Sequence, residues 1–366
     1  MSTLSRMAAG KSLSGQLYRE RNLKRLVEKF KESSTVDRFR TKTGVYEDTV
    51  RRLAAAKKFQ WIEEILEEQK KYRDISKEGF AVRIISLYGK SGMFENAQKL
   101  FDEMPDLKCD QTVLSFNGIL SACVNSKKFD VIERLFRELP GKLSVEPDLV
   151  SYNIAIKGFC EMGSLDSATS MLDEMEKKGL VPDLVTFNTL LNGFYGKGKL
   201  DDGEKIWGRM ERSCIAPDVR SYNAKLVGLA SAKKMKEAVE AINEMRKKEI
   251  KPDIFSFNAL IKGYVDDGNL EEAKFWYGEI EKSEHDPSRS TLAMLIPFAC
   301  DKGDLEFASK LSEAVFLTKC LIDSTILQTV VDSLAKESKS EEAKKLVQLG
   351  KSNKYRLYKL KLPSGN

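Results

Sequence analysis

The sequence predicts an all-α fold, a solenoid of stacked helix–turn–helix repeats, each 35 residues long. Two observations predict it. One phrase recurs as PDLVSYN (147–153), PDLVTFN (182–188), PDVRSYN (217–223) and PDIFSFN (252–258), with a step of 35 residues between prolines, and a degraded copy follows in Asp286-Pro287-Ser288. Between the phrases, apolar residues fall at helical spacing in two runs per period. A regular period of this kind outweighs the two or three ordinary domains that 366 residues would otherwise suggest.

Residues 149–183 show how one unit is made. Tyr152, Ile156 and Phe159 lie at i, i+4 and i+7, one face of a first helix. Met162-Gly163-Ser164 breaks it with a glycine turn. Leu165, Ala168, Leu172 and Met175 then form the apolar stripe of a second helix, which Gly179 ends and Pro182 cannot continue. The stripe recurs as Phe94, Ala97, Phe101 and Met104, as Met235, Ala238, Ile242 and Met245, and as Leu270, Ala273, Tyr277 and Ile280. In one unit Gly203 takes the alanine place, ahead of Trp207 and Met210. Gly158, Gly193, Gly228 and Gly263 keep the same step, and a residue without Cβ there lets neighbouring helices approach closely. Phe59 aligns with Phe94 and Ala343 with Ala308, so the array is expected over 41–350, eight or nine units, best formed over 113–288, with one residue inserted near Gly141. One hairpin cannot bury its apolar face alone. Stacked copies can, and they leave a long concave surface.

Charge divides the chain differently. Residues 1–40 carry a net +6 and residues 344–366 a net +7; the whole chain is +6, which leaves 41–343 at −7. An acidic repeat body is no generic polyanion binder, because non-specific nucleic-acid affinity comes mainly from phosphate neutralisation. The basic segments, 1–40 and 351–366, could supply that term or remain solvated tails. The start, MSTLSRMAAGKSLSG, has basic residues and serines but no acid before Glu20, which fits an organelle-targeting segment better than a secretory signal.

Several functions are excluded by what the chain lacks. No apolar run approaches the ~18 residues of a transmembrane helix. No glycine-rich phosphate loop, HExxH, nucleophile elbow or EF-hand loop is present. The six cysteines form no C-x-x-C pair and read as small core residues of a reduced compartment, and the single histidine, His285, stands in a loop. The expectation is therefore a non-enzyme with no cofactor, no metal and no small-molecule substrate.

The recurring pattern of Pro-Asp, two mostly apolar residues, Ser/Thr, an aromatic and Asn resembles the pentatricopeptide repeat (PPR) family, specifically its plant type built only of 35-residue units. The resemblance covers about 300 residues and implies a right-handed superhelical solenoid in which one repeat reads one RNA base. It implies reading residues at the fifth and last positions of each unit, with the second residue packing between bases. By position the fifth residues are Asn117, Asn153, Asn188, Asn223 and Asn258, and the last are Asp148, Asp183, Asp218, Asp253 and Ser288. The second residues are Leu114, Val150, Val185, Arg220 and Phe255. The family's code pairs Asn/Asp with uracil and Asn/Ser with cytosine on RNA running parallel to the protein, which implies a core site UUUUC. The residues also allow a plainer role, since Asp before a helix is a good cap and Asn near a helix start can bond local backbone. Capping explains the Asp stations better than it explains why Asn recurs inside the first turn. In the unit from Glu78 the reading stations hold Val82 and Thr112, and in the unit from Arg289 they hold Ala293 and Asp323. Neither valine nor alanine can address a base edge, so these flanking units read as structural or protein-facing.

Stretches such as LYRERNLKRLVEKFK (17–31), KKFDVIERLFRELPGKLS (127–144) and KLKLPS (359–364) are similar to a group of short plant mitochondrial PPR proteins that are components of the small mitoribosomal subunit. The resemblance implies an RNA-binding ribosomal protein of the mitochondrial matrix, touching rRNA and small-subunit proteins and supporting translation. A run of identical pyrimidine stations carries little address information, which agrees with a ribosome-held part. The alternatives are a free organellar factor (mitochondrial or plastid) that protects or processes a U-rich transcript, and a scaffold that binds only protein.

Overall fold

The computed structural model describes residues 13–283, 285–318, 320–353 and 357–363. The expected targeting segment falls largely on residues 1–12, outside them. Among the described residues the secondary structure is helical, with no strand. The chain forms two compact units, Met1–Thr189 and Leu190–Asn366, with the boundary inside the helix Leu184–Gly196.

Nine helix pairs follow one another, from Thr43–Ala55 with Phe59–Glu67 to Ser324–Lys336 with Ser340–Ser352. Their start signals are chemical. Asp148, Asp218 and Asp253 each cap a first helix through a reciprocal box with the serine three residues on. The turn between the helices of each pair contains a residue in the left-handed conformation. Glycine supplies it at 92, 163, 198, 268 and 303, but Lys57, Lys127, Lys233 and Ser338 hold it too, with φ between 55° and 60°. Five of the second helices also end at a left-handed residue, Lys108, Ser144, Gly179, Cys214 and Glu249. At Leu165–Lys177 the Gly179 N–H reaches Glu176 O (2.9 Å) and the Leu180 N–H reaches Met175 O (3.1 Å), closing the last turn.

Most stripe residues predicted for the core are buried, including Tyr152, Ile156 and Phe159 in the first unit and Trp207, Met210 and Ile242 in the second, but Leu270 is half-buried and Phe59 is exposed. Two of the aromatic residues one position before the Asn stations bridge successive hairpins. In the first unit, Phe136 lies 5.0 Å from Tyr152, whose hydroxyl donates to Glu174 (3.0 Å). In the second, Trp207 lies 5.0 Å from Tyr222, whose hydroxyl donates to Glu244 (2.8 Å). The step-conserving glycines sit at close approaches. A Cβ on Gly158 would come within 2.3 Å of Ile132 Cδ1, and one on Gly263 within 2.3 Å of Met235 Sδ. The cysteines divide: Cys109, Cys123 and Cys160 are buried as expected, whereas Cys214 is exposed at a left-handed turn (φ 57°) and is not a core residue.

Packing runs past both ends of the 41–350 range. In the first unit, helices Leu13–Arg19 and Leu23–Ser34 and the short Asp37–Arg40 bury Leu17, Leu26, Phe30 and Phe39, with Phe30 4.7 Å from Tyr46 of the first hairpin. Arg40 is itself buried, bonded to Asp74 (2.6 Å), Asp37 (2.7 Å) and Ser34 O (2.7 Å). In the second unit, Tyr358 and Leu360 bury against the last hairpin, Tyr358 N–H donates to Gly350 O (3.0 Å), and Lys361 and Gln328 exchange two hydrogen bonds. These segments cover the terminal apolar faces that a repeat stack would otherwise expose.

Candidate nucleic-acid interface

From Val113–Asn125 onward, each first helix begins with a residue whose side chain accepts the helix's own orphan N–H groups. Asp148 Oδ1 accepts from Ser151 N–H (2.9 Å), Asp183 Oδ1 from Thr186 N–H (2.8 Å) and Asp253 Oδ1 from Ser256 N–H (3.0 Å). The hydroxyl of that third residue accepts the N–H of the cap residue in return, at 3.1 Å in all three cases.

The Asn of the preceding repeat completes the arrangement. Asn117 Nδ2 donates to Asp148 Oδ1 (3.1 Å), Asn153 Nδ2 to Asp183 Oδ1 (3.3 Å) and Asn223 Nδ2 to Asp253 Oδ1 (3.0 Å). Asn258 Nδ2 donates to Ser288 Oγ (3.1 Å). On its other side each amide oxygen accepts from a hydroxyl of the next repeat: Ser151, Thr186, Ser256 and Thr291, each at 2.6 Å. These hydroxyl residues are fully buried. Asp218 caps its own helix through Arg220 N–H (2.9 Å) and Ser221 N–H (3.0 Å), and Asn188 is buried, 9% exposed.

The caps and the Asn stations thus share one network. An amide has two N–H donors and a two-lone-pair acceptor. Each of the four stations whose network is given above uses one donor and one lone pair on protein. The second N–H, the second lone pair and Asp Oδ2 stay available, a donor beside acceptors held rigidly at a half-buried surface. The sequence pattern displayed the Ser/Thr, but its part in fixing the amide orientation was not evident without the fold.

The second-position residues are exposed as the base-packing expectation requires: Leu114 by 47%, Val150 by 51%, Val185 by 55% and Phe255 by 68%, with Arg220 exposed as well. One exposed apolar side chain is ordinary. Its return next to four of the five Asn stations is not accounted for by folding. Further along the helix face that carries Asn153 and Asn258, Lys157 is paired with Glu161 (3.7 Å) and Lys262 with Asp266 (2.8 Å). Cations near these stations are therefore already neutralised.

Electrostatics keep the caps ionised. Burial pushes Asp148 upward, but the Ser151 N–H and the Asn117 amide outweigh it and hold the carboxyl below its ordinary value. Asp183 behaves alike, burial being outweighed by Thr186 and Asn153. In the flanking repeats the stations differ. Glu78 Oε1 accepts from Thr112 N–H (2.8 Å), Ser115 N–H (3.1 Å) and Ser115 Oγ (2.6 Å), while Asp323 accepts from Thr325 N–H (2.9 Å). Among the described residues no group of His, Cys, Asp and Glu could hold a metal ion, and no helix is long and apolar enough to cross a membrane.

The profile of the PPR repeat family matches residues 111–161, 147–196, 182–230 and 217–263, and a PPR repeat profile matches 83–109 and 255–285, together more than half of the chain. The chain belongs to the PPR family. The crystal structure of the PPR protein PPR10 from maize superposes with a TM-score of 0.58 at 19% identity, covering 94% of this chain and 48% of that one. PPR10 in complex with an 18-nt psaJ RNA element gives 0.51 at 17%, covering 94% and 58%. Both likenesses establish the PPR solenoid fold. Among curated PPR proteins, the small ribosomal subunit protein mS78 (rPPR3a) of Arabidopsis thaliana is 65% identical over 170 residues, 46% of this chain and 43% of that protein. The small ribosomal subunit protein mS79 (rPPR3b) of the same plant is 63% identical over 161 residues, 44% and 41%. Each match takes in less than half of the relative's length.

Proposed function

We propose that this PPR protein is an RNA-holding component of the small subunit of a mitochondrial ribosome, resident in the matrix and without enzymatic activity. The observation that carries this reading is the 65% and 63% identity to two small ribosomal subunit proteins, above the 54% and 41% shared with two PPR proteins whose names give no ribosomal role. The Asn stations hold single-stranded rRNA, most favourably a pyrimidine run of the kind UUUUC read by Asn117 to Asn258 with Asp148 to Ser288. Exposed cations near the N-terminus that make no ion pair among the described contacts (Arg19, Arg21, Lys24, Arg25 and Arg38) meet phosphates, as do Lys351, Lys359 and Lys361 near the C-terminus. The neutralised lysines near Asn153 and Asn258 favour a ribosome-held part over a free reader, because a strand bound there releases few counterions. Adjoining ribosomal proteins then supply the remaining affinity.

Sedimentation of mitochondrial extract tests this. The protein is expected with the small subunit, and its staying in light fractions while subunits are intact overturns the proposal. The four built stations favour one further reading, a free factor on a U-rich transcript. That reading predicts light fractions together with retained preference for uridine over adenosine strands.

A further inference from the structure

The Asn stations stop short of the repeat at 78–112, and its residues show how the stop is made. The fifth position is Val82, and the second is Gly79, which presents no side chain. Where Asp148 and Asn117 meet the next helix start, this repeat brings in a single carboxylate, Glu78, one helical turn before Val82. Glu78 Oε1 accepts from Ser115 Oγ at 2.6 Å, the same separation at which Asn117, Asn153, Asn223 and Asn258 accept from their hydroxyls. It also takes the N–H groups of Thr112 (2.8 Å) and Ser115 (3.1 Å), and the Thr112 hydroxyl lies 3.0 Å from both carboxylate oxygens. Glu78 thus takes the place of the Asn and shares the cap with Thr112, whose hydroxyl accepts the Leu114 N–H (3.1 Å).

We propose that Glu78 is a stop at the N-terminal end of the base-reading track and fixes Asn117 as its first position. This rests on the base-reading proposal above. A carboxylate is acceptor-only and has no donor to offer a base edge, whereas Asn117, Asn153, Asn223 and Asn258 each keep one. Burial raises Glu78, but hydrogen bonds from Ser115 and Thr112 outweigh it and hold the carboxyl below its ordinary value, so the group is charged at neutral pH. That charge repels the phosphate of any strand extended past Asn117. Gly79 adds a second obstacle, since the stations further on expose Leu114, Val150, Val185 and Phe255 at this place. Glu78 therefore determines length and register: the footprint has a fixed start, and a pyrimidine run cannot slide one repeat toward the N-terminus.

The test uses the full chain and fluorescent oligouridine 5-mers and 6-mers. The wild type is expected to bind both about equally, since the fixed start leaves the 6-mer one register and no sixth station. Val82→Asn with Thr112→Asp, Glu78 retained, builds the missing groups but is expected to gain nothing on the 6-mer. Adding Glu78→Ala is expected to raise 6-mer over 5-mer affinity roughly tenfold, as one well-made base contact does. Equal gain with Glu78 retained overturns the stop. So does no gain in the triple variant when its helical melt matches the wild type. Glu78→Gln covers the case in which the triple variant does not fold, because it keeps the capping acceptor while adding a donor and removing the charge. It is expected to favour the 6-mer by several-fold, and no change overturns the proposal. A wild type that binds neither strand removes base reading itself, an outcome distinct from a wild type that binds both while the variants change nothing.

Discussion

The repeats over 113–288 and the repeat at 78–112 share one hairpin and one demand, since the first N–H groups of every first helix need acceptors. They meet it differently. At Ser151 the acceptors are Asp148 and Asn117, at Ser115 they are Glu78 alone, and at Thr325 Asp323 suffices beside Ala293. A helix start can be capped without an Asn. The recurrence of Asn at five positions within 113–288 is thus more than folding requires, and it coincides with the exposed Leu114, Val150, Val185 and Phe255.

The comparison breaks most readily through binding. Asn153→Ala with Asn223→Ala is expected to lower affinity for a uridine strand about a hundredfold, at ~1–3 kcal/mol per lost base contact, and to erase preference over adenosine. Val82→Ala in the flanking repeat leaves affinity unchanged. Fluorescence anisotropy reads both, and equal effects at 82 and at 153/223 would dissolve the distinction between the regions. Stability gives the next largest contrast. Asp253→Ala removes a cap and strands the Asn223 amide, for a loss of about 2 kcal/mol. Thr112→Ala is expected to cost less, about 1 kcal/mol, because it loses the Leu114 N–H bond while Glu78 keeps the backbone N–H groups of Thr112 and Ser115. Urea unfolding followed at helical ellipticity distinguishes them.

Much of this was legible because the period is literal. Pro-Asp, aromatic and Asn return at a fixed step, so helix starts, core faces and station pairs can all be placed by counting. Three features were hidden for physical reasons. Glu78 lies outside the Asn register and reaches the station from one turn away, a matter of side-chain length that spacing does not encode. The hydroxyls of Ser151 and Thr186 look like ordinary helix-start residues until the neighbouring repeat brings an amide against them. Residues 17–40 read as a basic segment by charge. Their burial rests on Leu17, Leu26, Phe30 and Phe39, too few and too irregularly spaced to show the repeat's stripe, and Arg40 turns inward onto Asp74.

Acid separates the stations by chemistry. Asp148 and Asp183 have folded-state values below their ordinary one, so the stability they confer is fully present above about pH 4 and is lost as pH falls through the lowered values. Ser288 holds Asn258 with a hydroxyl and does not titrate. Hydrogen exchange at about pH 3 is expected to show faster opening at 149–151 and 184–186 than at 289–291. Uniform opening along the chain would mean that the caps do not set local stability.

The smallest expected effect concerns the ends of the second helices, where the reading repeats differ among themselves. Gly179 holds a left-handed residue at φ 77°, and Glu249 holds the equivalent place at φ 58° with the same closing bonds, its N–H to Arg246 O (3.1 Å) and that of Ile250 to Met245 O (2.9 Å). A side chain costs ~1–2 kcal/mol in that conformation, while glycine adds freedom to the unfolded chain. Glu249→Gly is expected to stabilise by about 0.5 kcal/mol in urea unfolding, and Gly179→Ala to destabilise by about 1 kcal/mol. Neither residue touches an Asn station, so RNA affinity should not move with either. A change in affinity alongside stability would show that hairpin ends and reading stations are coupled, and that the helix starts alone do not set recognition.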